Sequence, residues 1–464
     1  ILDVNKAHIL MLAKTGIISG DVAKKLLVAT KQIESEKEHP TFEINPDVED
    51  LYFNLERYLI KLTGLEVGGQ QHTARSRNDL FATEIRIDTR KVYLKLSQMF
   101  IDLRRAYLQL ARKNLDTVMS GYTHMQPSEP ITFAHYLSGV SSALARDYDR
   151  FSHAWQSLNL CPLGGCSMGS TSFPIDREYT SKLMGFDGPV QNSLDCVASR
   201  DYVLEILTAL AQTAMTMSRT ALDLYNWATP EYGYIEVDDS CAVCSSIMPQ
   251  KKNPFTLEHV KAKAAHMEGF MIGVYNTMKN VIFSHGRDTS VETPRYFYTA
   301  LSEMEADFAL LTVTINTLSV RKQRMYDCAA RNFCTVTELA NYLVRHDDIS
   351  FREAHEIIAH VVGAMNEKGL TATDIDRNAV EKATKELFGF DTKLTDELIR
   401  EALDPRRVAY EKTCIGGTAP DEVSRQLDLV EAQIKADEDE LKARQAQLDS
   451  ADALLAEKVQ EAIA

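Results

Sequence analysis

The sequence predicts an all-α fold, and three observations lead to this prediction. Proline and glycine, which interrupt regular structure, number only 13 and 21 among 464 residues, and such a distribution favours long helices over many short strands. Five long segments carry apolar residues at helical spacing. In the fourth segment the apolar residues repeat with a heptad period, which is typical of helices that lie nearly parallel in a bundle.

The five predicted helices lie one after another in the middle of the chain. They cover Phe81–Leu115, Thr132–Leu158, Arg200–Trp227, Phe255–Phe283 and Tyr298–Leu318. The heptad positions of the fourth are Leu257, Val260, Ala264, Met267, Met271, Val274, Met278 and Val281. We interpret these side chains as bundle core and not as a cofactor-binding surface.

Four long polar stretches, which also carry Gly or Pro, separate these helices. They are Gly64–Asp79, Met119–Pro130, Leu160–Asp176 and Glu231–Asn253. Loops of this length in a helical protein are often functional. Because all four carry unusual residues, we expect them to converge at one end or in one groove of the bundle.

A long charged helix is predicted from Pro420 onward. Apolar residues recur every seven positions, at Leu427, Ile434, Leu441, Leu448 and Leu455. The companion heptad positions change from Val423 and Val430 to Asp437 and Arg444. The apolar face therefore weakens along the helix, and we expect its far half to pack weakly or on another subunit.

Composition and charge argue against several classes of function. The net charge is −15 and there is no basic stripe, which argues against nucleic-acid binding. No apolar run reaches the roughly 18 residues that a membrane span requires. Only Cys241 and Cys244 form a C-x-x-C pair, so we expect free thiols, no metal site and a reducing, cytoplasmic location. Because Ile1 replaces the usual Met, we expect the start of the natural chain to be missing.

The strongest chemical signal is the run S-S-I-M-P-Q-K-K-N-P, from Ser245 to Pro254. Pro254 suits the first position of a helix and Asn253 suits its N-cap. The run would therefore end on the positive end of the heptad helix, where an anion is stabilised. Lys251 adds a full positive charge, and these features together suit a carboxylate whose charge grows during a reaction.

This run resembles the signature of the fumarase/aspartase superfamily, a set of all-helical homotetramers. The resemblance implies that Ser245 is the base that removes the Cβ proton of the substrate. The substrate-binding residues that it implies here are Met248, Gln250, Lys251 and Asn253. Glu258 matches an acidic residue that is often coupled to a histidine in the family, and Cys244 stands where the family usually has glycine.

The segment H-T-A-R-S-R-N-D, His72–Asp79, narrows the resemblance to the argininosuccinate lyase branch. It implies that Ser76, Arg77 and Asn78 contact the fumarate-forming half of the substrate. An arginine between two small polar residues can clamp a carboxylate through two parallel hydrogen bonds.

The segment G-Y-T-H-M-Q-P, Gly121–Pro127, is similar to the G-Y-T-H-x-Q motif of the same branch. It implies that Thr123 binds a carboxylate and that His124 orients or protonates the substrate. Further matches continue in the same order along nearly the whole chain, which chance does not easily supply.

The departures from this branch fall in the segments expected to hold the amine. The positions kept there are Asp50, Arg200 and Asp288, which we expect to bind substrate. Where the family carries Tyr, Gln and Lys, this chain has His285, Ser290 and Thr293. The family has the motif E-D-x-H, in which this chain carries Tyr52 in place of the final histidine. The family also has Ser-Asp before Arg200, where this chain has Ala198-Ser199.

The resemblance implies a β-elimination that breaks a carbon–nitrogen bond in an N-substituted aspartate and releases fumarate and an amine. No metal or organic cofactor is implied, and the sequence has no G-x-G-x-x-G motif after a strand and no Walker loop. The kept motifs include the serine, the Thr-His pair and the Lys-Asn pair, which argues against a third class, the non-catalytic structural lens relatives.

Because the arginine pocket is rewritten, we expect a different leaving amine. One branch that looks like argininosuccinate lyase cleaves aminopolycarboxylates such as ethylenediamine-N,N'-disuccinate (EDDS). Extra carboxylates on the amine would need extra cations, for which Arg287 and Lys322 are candidates. A genuine argininosuccinate lyase, which releases arginine, is the alternative.

The resemblance also implies three helical domains, at 1–76, 77–325 and 326–464, of which the middle one forms the five-helix bundle. In the family this bundle is the core of a homotetramer, and each active site draws loops from three different subunits. The partners implied are the small-molecule substrate, its products and other copies of the chain.

Overall fold

The computed structural model describes all 464 residues and shows an all-α protein built around a bundle of long helices. The N-terminal part contains α1 (Leu2–Lys14), α2 (Gly20–Ser35), α3 (Leu51–Thr63), α4 (Leu65–Gly68) and a 3₁₀ turn (Gly69–His72). These helices bury one apolar face each against a common core, which also receives Leu80 from the first bundle helix.

The central part contains the bundle and its connections. Its first half comprises α5 (Arg77–Arg112), β1 (Val118–Thr123), β2 (Gln126–Thr132), α6 (Phe133–His153), α7 (Trp155–Leu158), β3 (Leu160–Cys161), α8 (Arg177–Leu183), β4 (Gly188–Pro189) and α9 (Ser193–Ala198). Its second half comprises α10 (Asp201–Trp227), β5 (Ile235–Glu236), a 3₁₀ turn (Asp239–Cys241), β6 (Val243–Cys244), β7 (Lys252–Asn253), α11 (Phe255–Lys279), a π-helical turn (Asp288–Glu292), α12 (Thr293–Thr317) and β8 (Ser319–Val320). The five predicted long helices are confirmed as α5, α6, α10, α11 and α12.

The heptad pattern of α11 forms bundle core, as predicted. The buried heptad residues are Leu257, Val260, Ala264, Met267 and Val274, all of them in the main hydrophobic core. Met271 and Met278 are partly buried against the same core, whereas Val281 lies beyond the end of the helix. Helix α11 packs against both α10 and α12, and its narrow apolar face holds it in the bundle.

The bundle core also encloses an acidic side chain, Asp307 on α12. Its side chain is fully buried, and neither carboxyl oxygen has a hydrogen-bond partner. Burial raises the pKa of Asp307 to about 8, although the nearby Lys263 ammonium opposes the rise. Lys263 is itself paired with Glu303 at 2.7 Å, so Asp307 has no dedicated counter-ion.

The C-terminal part has a core of its own and one very long helix. Its elements are α13 (Lys322–Arg331), α14 (Val336–Asp347), α15 (Phe351–Glu367), a 3₁₀ turn (Ala372–Asp374), α16 (Arg377–Phe388), α17 (Asp396–Ala402), α18 (Pro405–Tyr410) and α19 (Pro420–Ile463). The separate core spans residues from Leu339 to Ala402, and α19 takes no part in it. The division at 76 and 325 stays a prediction.

Helix α19 returns along the bundle to the N-terminal part. Its Asp437 is paired with the buried Arg104 of α5, and its far half buries Leu455 and Val459 against the N-terminal core. Lys24 of α2 donates to the terminal Ala464 carbonyl at 3.1 Å. The expectation that the far half packs weakly or on another subunit is therefore wrong, because the N-terminal helices of the same chain cover it.

Eight short strands form four two-stranded sheets, of which only β3–β4 is parallel. The longest pair is the β1–β2 hairpin, and β5–β8 and β6–β7 are also antiparallel. These strands fall in or beside the stretches predicted as loops. No helix combines the length with the apolar character that crossing a membrane requires.

Candidate active site

The serine segment forms the loop of the β6–β7 hairpin. The Ser245 N–H donates to the Lys251 carbonyl at 3.2 Å and closes the base of the loop. The tip lies in solvent, where Ile247 is 81% exposed. The hairpin therefore fixes the two ends of the loop and leaves the tip free to move.

The Ser245 hydroxyl accepts two backbone hydrogen bonds within this loop. The Met248 N–H donates to Ser245 Oγ at 3.0 Å and the Ile247 N–H donates to it at 3.3 Å. Hydrogen bonds to an oxygen stabilise its anionic form more than its neutral form. The loop backbone therefore favours the alkoxide character that a serine needs to act as a base.

The two lysines of the segment differ in their partners. Lys252 is paired with Asp239 at 2.7 Å and with Glu236 at 3.3 Å. Lys251 is exposed and forms no ion pair within the chain. Of the two, Lys251 is thus the cation that no carboxylate of the chain neutralises, and its role at a substrate carboxylate stays a prediction.

The predicted helix start is wrong by one residue. Helix α11 begins at Phe255 with Pro254 as its N-cap residue, and Asn253 lies in β7, where it pairs with Val243. A residue before proline is biased towards extended backbone, which suits a strand better than a cap. No side chain caps α11, so its positive end remains available to an anion.

A cleft of about 680 Å³ lies beside the serine loop. The predicted residues that line it are Met248, Gln250, Lys251 and Asn253. Arg321 also lines it and is paired with Glu236 at 2.6 Å. The sequence gives no signal for Arg321, because only the pairing of β5 with β8 brings it to this cleft.

Thr123 and His124 lie at the tip of the β1–β2 hairpin. Thr123 pairs with Gln126 across a two-residue turn, and His124 and Met125 both have positive φ, 54° and 59°. Turns of this kind normally carry Asn or Gly, so the two side chains are held in a strained conformation. Both Thr123 and His124 are exposed, which presents them to a molecule outside the chain.

Glu258, in the first turn of α11, accepts a hydrogen bond from the Tyr225 hydroxyl at 3.1 Å. The coupling to a histidine that the family resemblance implies does not occur within this chain. The contact joins the start of α11 to the end of α10 beside the cleft, where Tyr225 is one of the lining residues.

The His72–Asp79 segment is held by a fully buried carboxylate, Asp79. The Asp79 side chain accepts from the N–H groups of Gly164 at 2.8 Å, Cys166 at 2.9 Å and Ser76 at 3.1 Å. The Ser76 hydroxyl in turn accepts the Asn78 N–H at 3.3 Å and caps α5. This capping box starts α5 four residues before the predicted Phe81.

Asn78 and Tyr52 add further support to this segment. The Asn78 side-chain amide donates to the Ser167 carbonyl at 3.0 Å, which ties the segment to the connection after β3. The buried Tyr52 hydroxyl lies 2.5 Å from His72 Nδ1 and accepts from Arg75 at 3.2 Å. Tyr52, which stands where the family has histidine, thus supports the His72–Asp79 segment through its hydroxyl group.

Arg77 is held by two carboxylates of its own chain. Its guanidinium is 2.7 Å from Asp50 and 3.1 Å from Glu49, and it lies over the Phe53 ring. The second Asp50 oxygen accepts the Phe53 N–H at 2.9 Å and caps α3. Arg77 is therefore oriented before any substrate binds, and Asp50 acts here as its positioning partner.

Arg200 and His285 lie close to Arg77. Arg200 precedes α10, is 1% exposed and donates to the Ser199 carbonyl at 2.7 Å. Burial lowers the pKa of His285, and the neighbouring guanidinium groups of Arg200, Arg287 and Arg77 lower it further. The His285 segment and the start of α10 thus lie beside Arg77, with three guanidinium groups near the His285 ring.

The two cations predicted to bind extra carboxylates do not meet. Arg287 is paired with Glu49 at 2.8 Å beside Arg77. Lys322 is paired with Asp116 at 2.9 Å and also donates to the Lys113 carbonyl, next to the end of α5. Asp288 begins the π-helical turn and accepts the Thr289 N–H at 2.9 Å.

The predicted residues therefore form two groups, one at each end of the bundle. The Arg77 end contains Ser76, Arg77, Asn78, Asp50, Arg200, Arg287 and Asp288, and the Ser245 end contains Thr123, His124, Ser245, Met248, Gln250, Lys251, Asn253, Glu258 and Lys322. Helix α5 has 36 residues and separates the two ends by about 54 Å. The expectation that all these loops converge at one end is wrong within a single chain, because successive bundle helices run in opposite directions.

Comparison with known proteins identifies the family. A family model described as lyase matches residues 4–269. A second model, described as argininosuccinate lyase C-terminal, matches residues 333–409. Together the two matches include both ends of the bundle and the separate C-terminal core.

Individual relatives cover nearly the whole chain. Argininosuccinate lyase 1 of Shouchella clausii is 45% identical over 98% of this chain and 91% of that protein. Argininosuccinate lyase of Methanothrix thermoacetophila is 36% identical over 97% of this chain and 90% of its own length. The crystal structure of EDDS lyase in complex with formate superposes with a TM-score of 0.91 and 33% identity, over 100% of this chain and 91% of that one. The chain therefore belongs to the argininosuccinate lyase branch of the fumarase/aspartase superfamily and is a fumarate-forming carbon–nitrogen lyase.

Proposed function

We propose that this enzyme cleaves an N-substituted aspartate by β-elimination, with Ser245 as the base. The observation that carries the proposal is the pair of backbone N–H groups that donate to Ser245 Oγ, at 3.0 and 3.3 Å. They stand beside Lys251, which has no partner in the chain, and beside the uncapped start of α11. A base, a free cation and a helix dipole thus occur together on one loop.

In the first step, Ser245 removes the proton from the carbon next to a substrate carboxylate. The carboxylate then carries two negative charges, which Lys251 and the positive end of α11 stabilise. The negative charge reforms a carbon–carbon double bond as the carbon–nitrogen bond breaks, and fumarate results. A group at Thr123 and His124 delivers a proton to the departing nitrogen.

Each active site is composed of residues from more than one copy of the chain. The separation of about 54 Å between the two ends supports this, since no loop movement within one chain spans it. The bundle helices also expose large apolar side chains, namely Met215, Leu222, Ile272, Tyr275 and Val313. An exposed apolar surface of this kind marks an interface, and it fits the homotetramer of the family.

Argininosuccinate is the first candidate substrate. The relatives that are 45% and 36% identical over nearly the full chain are argininosuccinate lyases. Asp288 and Arg200, which are kept in the segments expected to hold the amine, agree with an amino-acid leaving group. Arginine would then be the amine that is released together with fumarate.

An aminopolycarboxylate such as EDDS is the second candidate. This candidate is favoured by the segments expected to hold the amine, where His285, Ser290 and Thr293 replace the Tyr, Gln and Lys of the family. The likeness to EDDS lyase also favours it. All eight cysteines are free, which fits an enzyme of the reducing cytoplasm in either case.

The ultraviolet absorbance of fumarate tests the proposal directly. We expect purified enzyme to form fumarate from argininosuccinate, from EDDS or from both, and to consume fumarate when the matching amine is supplied. Formation from one compound alone would decide between the two candidates. Absence of fumarate with both compounds, and with every amine in the reverse direction, would contradict the proposed function.

A further inference from the structure

The Arg200 guanidinium is buried without a counter-ion. One nitrogen donates to the Ser199 carbonyl, but Nε and Nη2 have no hydrogen-bond partner, and the side chain is only 1% exposed. Leaving a buried charge unpaired is costly, so proteins normally pair it with an acid or use it to bind an anion. No carboxylate of the chain forms an ion pair with Arg200, so the chain itself does not supply the first arrangement.

Unused polar atoms surround Arg200. His285 Nδ1 is buried and has no partner, and the same holds for the hydroxyl of the fully buried Tyr202. Arg86, whose guanidinium lies 4.4 Å from the centre of the Tyr202 ring, adds a second positive charge. Arg200 also lies at the start of the 27-residue helix α10, whose dipole contributes further positive potential.

Three of the other predicted substrate-binding cations are already paired with carboxylates of the chain. Arg77 and Arg287 share Glu49, and Arg77 also binds Asp50. Lys322, the remaining candidate, is paired with Asp116 near the far end of α5. Among the predicted substrate-binding residues of the Arg77 end, Arg200 is therefore the cation with unmet hydrogen-bond donors.

We propose that Arg200 and His285 form a subsite that binds a carboxylate carried by the leaving amine. This inference rests on the proposed function, in which Lys251 stabilises the fumarate-forming half and the amine departs as the carbon–nitrogen bond breaks. The free Nε and Nη2 of Arg200 match the two oxygens of one carboxylate, and His285 Nδ1 supplies a further donor in the tautomer that carries its proton there. The subsite selects amines that are themselves amino acids, whether arginine or an aspartate derivative.

The segment between α11 and the π-helical turn contributes His285 to this subsite. The nearby Arg200 guanidinium lowers the pKa of His285, and Ile282 and Phe283 of the segment are 75% and 67% exposed. Its tie to the N-terminal part is the exposed ion pair between Arg287 and Glu49. Exposed pairs contribute little to stability, so a substrate lifts the segment at low cost and the segment closes over the bound carboxylate.

Two pairs of amines that differ mainly in carboxylates test the subsite in the fumarate-addition direction. L-Arginine is compared with agmatine, and N-(2-aminoethyl)aspartate is compared with ethylenediamine. For each pair that reacts, we expect the carboxylated amine to have a kcat/KM about 10- to 100-fold higher, as a charge-assisted hydrogen bond predicts.

The variants Arg200→Met and His285→Asn identify the residues responsible. We expect Arg200→Met to bring the ratio of kcat/KM values close to one and to leave the KM of fumarate unchanged, and His285→Asn to give a smaller reduction of the ratio. His285 is only partly buried and tolerates substitution if Arg200→Met fails to fold. The exposed Arg295→Met on α12 is the matched control and should keep the wild-type ratio.

Three outcomes would overturn the subsite. Equal kcat/KM values for both members of each pair with the wild-type enzyme would show that no amine carboxylate is recognised. A raised KM for fumarate in Arg200→Met, with an unchanged ratio, would assign Arg200 to the fumarate half. If Arg200→Met and His285→Asn both fold and change neither the ratio of amine kcat/KM values nor the KM of fumarate, the two residues have only a structural role. Only a failure of wild-type enzyme to consume fumarate with any amine would overturn the proposed function itself.

Discussion

The two ends of the bundle hold their functional residues in different ways. At the Arg77 end, the fully buried Asp79 accepts three backbone N–H groups and fixes the capping box of α5. At the Ser245 end, the serine loop is held mainly by its own backbone hydrogen bonds, and its tip is exposed. The capping box is ordered before substrate arrives, whereas the serine loop is free to close over the substrate.

This difference fits a division of labour in the elimination. A rigid binding surface orients the substrate at no cost in ordering side chains. A mobile base loop admits the substrate and then excludes water from the doubly charged intermediate. The predictions that follow separate these two roles, beginning with the largest expected effect.

Replacement of Ser245 by alanine should abolish nearly all turnover. Loss of a general base costs about 10²- to 10⁴-fold in rate, and we expect the upper part of that range, because Ser245 is the loop hydroxyl that accepts the two backbone N–H groups. The rate of fumarate formation measures the effect, and circular dichroism checks the fold. The exposed neighbour Ser246→Ala is the matched control and should retain most activity; equal losses in the two variants would contradict the role of Ser245.

The two adjacent lysines provide a sharper comparison within the mobile end. Lys251→Met should lower kcat/KM about 100-fold, because the cation that meets the growing charge is lost. Lys252→Met should cause a smaller loss, since its ammonium is neutralised by Asp239 and Glu236. Steady-state kinetics on both variants measure the two losses in kcat/KM. A larger loss for Lys252→Met would show that Lys252, and not Lys251, meets the growing charge.

Asp79→Ala should destabilise the rigid end while leaving the serine loop intact. It leaves the buried N–H groups of Gly164 and Cys166 without acceptors, which costs about 3 kcal/mol of unfolding free energy. Chemical denaturation measures the change. The exposed Asp88→Ala on the same helix is the control, and a similar small effect in both variants would show that Asp79 does not fix this end.

Asp307 lies in the core between the two ends, and its replacement should affect stability alone. The pKa of its folded-state carboxyl is raised to about 8 from its ordinary value of 3.8, so between these values the folded protein holds a proton that the unfolded chain releases. Stability therefore falls as pH rises across this window, by about 1.4 kcal/mol per pH unit for one proton. Asp307→Asn should remove this slope between pH 5 and about 7, measured by denaturation at several pH values, and an unchanged slope would contradict the assignment.

The sequence predicts the long helices well because their apolar periodicity depends on local pattern. The five bundle helices, the heptad face of α11 and the long α19 all follow from residue spacing. The prediction that the far half of α19 packs weakly or on another subunit is wrong, because the surface that covers it lies on α1 and α2, more than four hundred residues away in sequence. Spacing describes a helix face but does not identify what covers it.

The sequence predicts which residues have the chemistry of the site, but it does not predict how those residues are arranged in space. Lys251 and Ser245 follow from their motif, and their surroundings agree with the predicted roles. The separation of the Arg77 end from the Ser245 end could not be read from motifs, because it depends on the length and direction of α5. Arg321 and the unpaired state of Arg200 are likewise set by tertiary contacts alone.

The most direct test of a site shared between copies of the chain is complementation between two inactive variants. Ser245→Ala subunits keep a normal Arg77 end, and Asn78→Ala subunits keep a normal Ser245 end. If the two ends of different copies meet, subunits mixed under dissociating conditions and reassembled should regain activity, with a maximum near equal proportions. If the mixture stays as inactive as either variant while assembling normally, each site lies within one chain and the account is wrong.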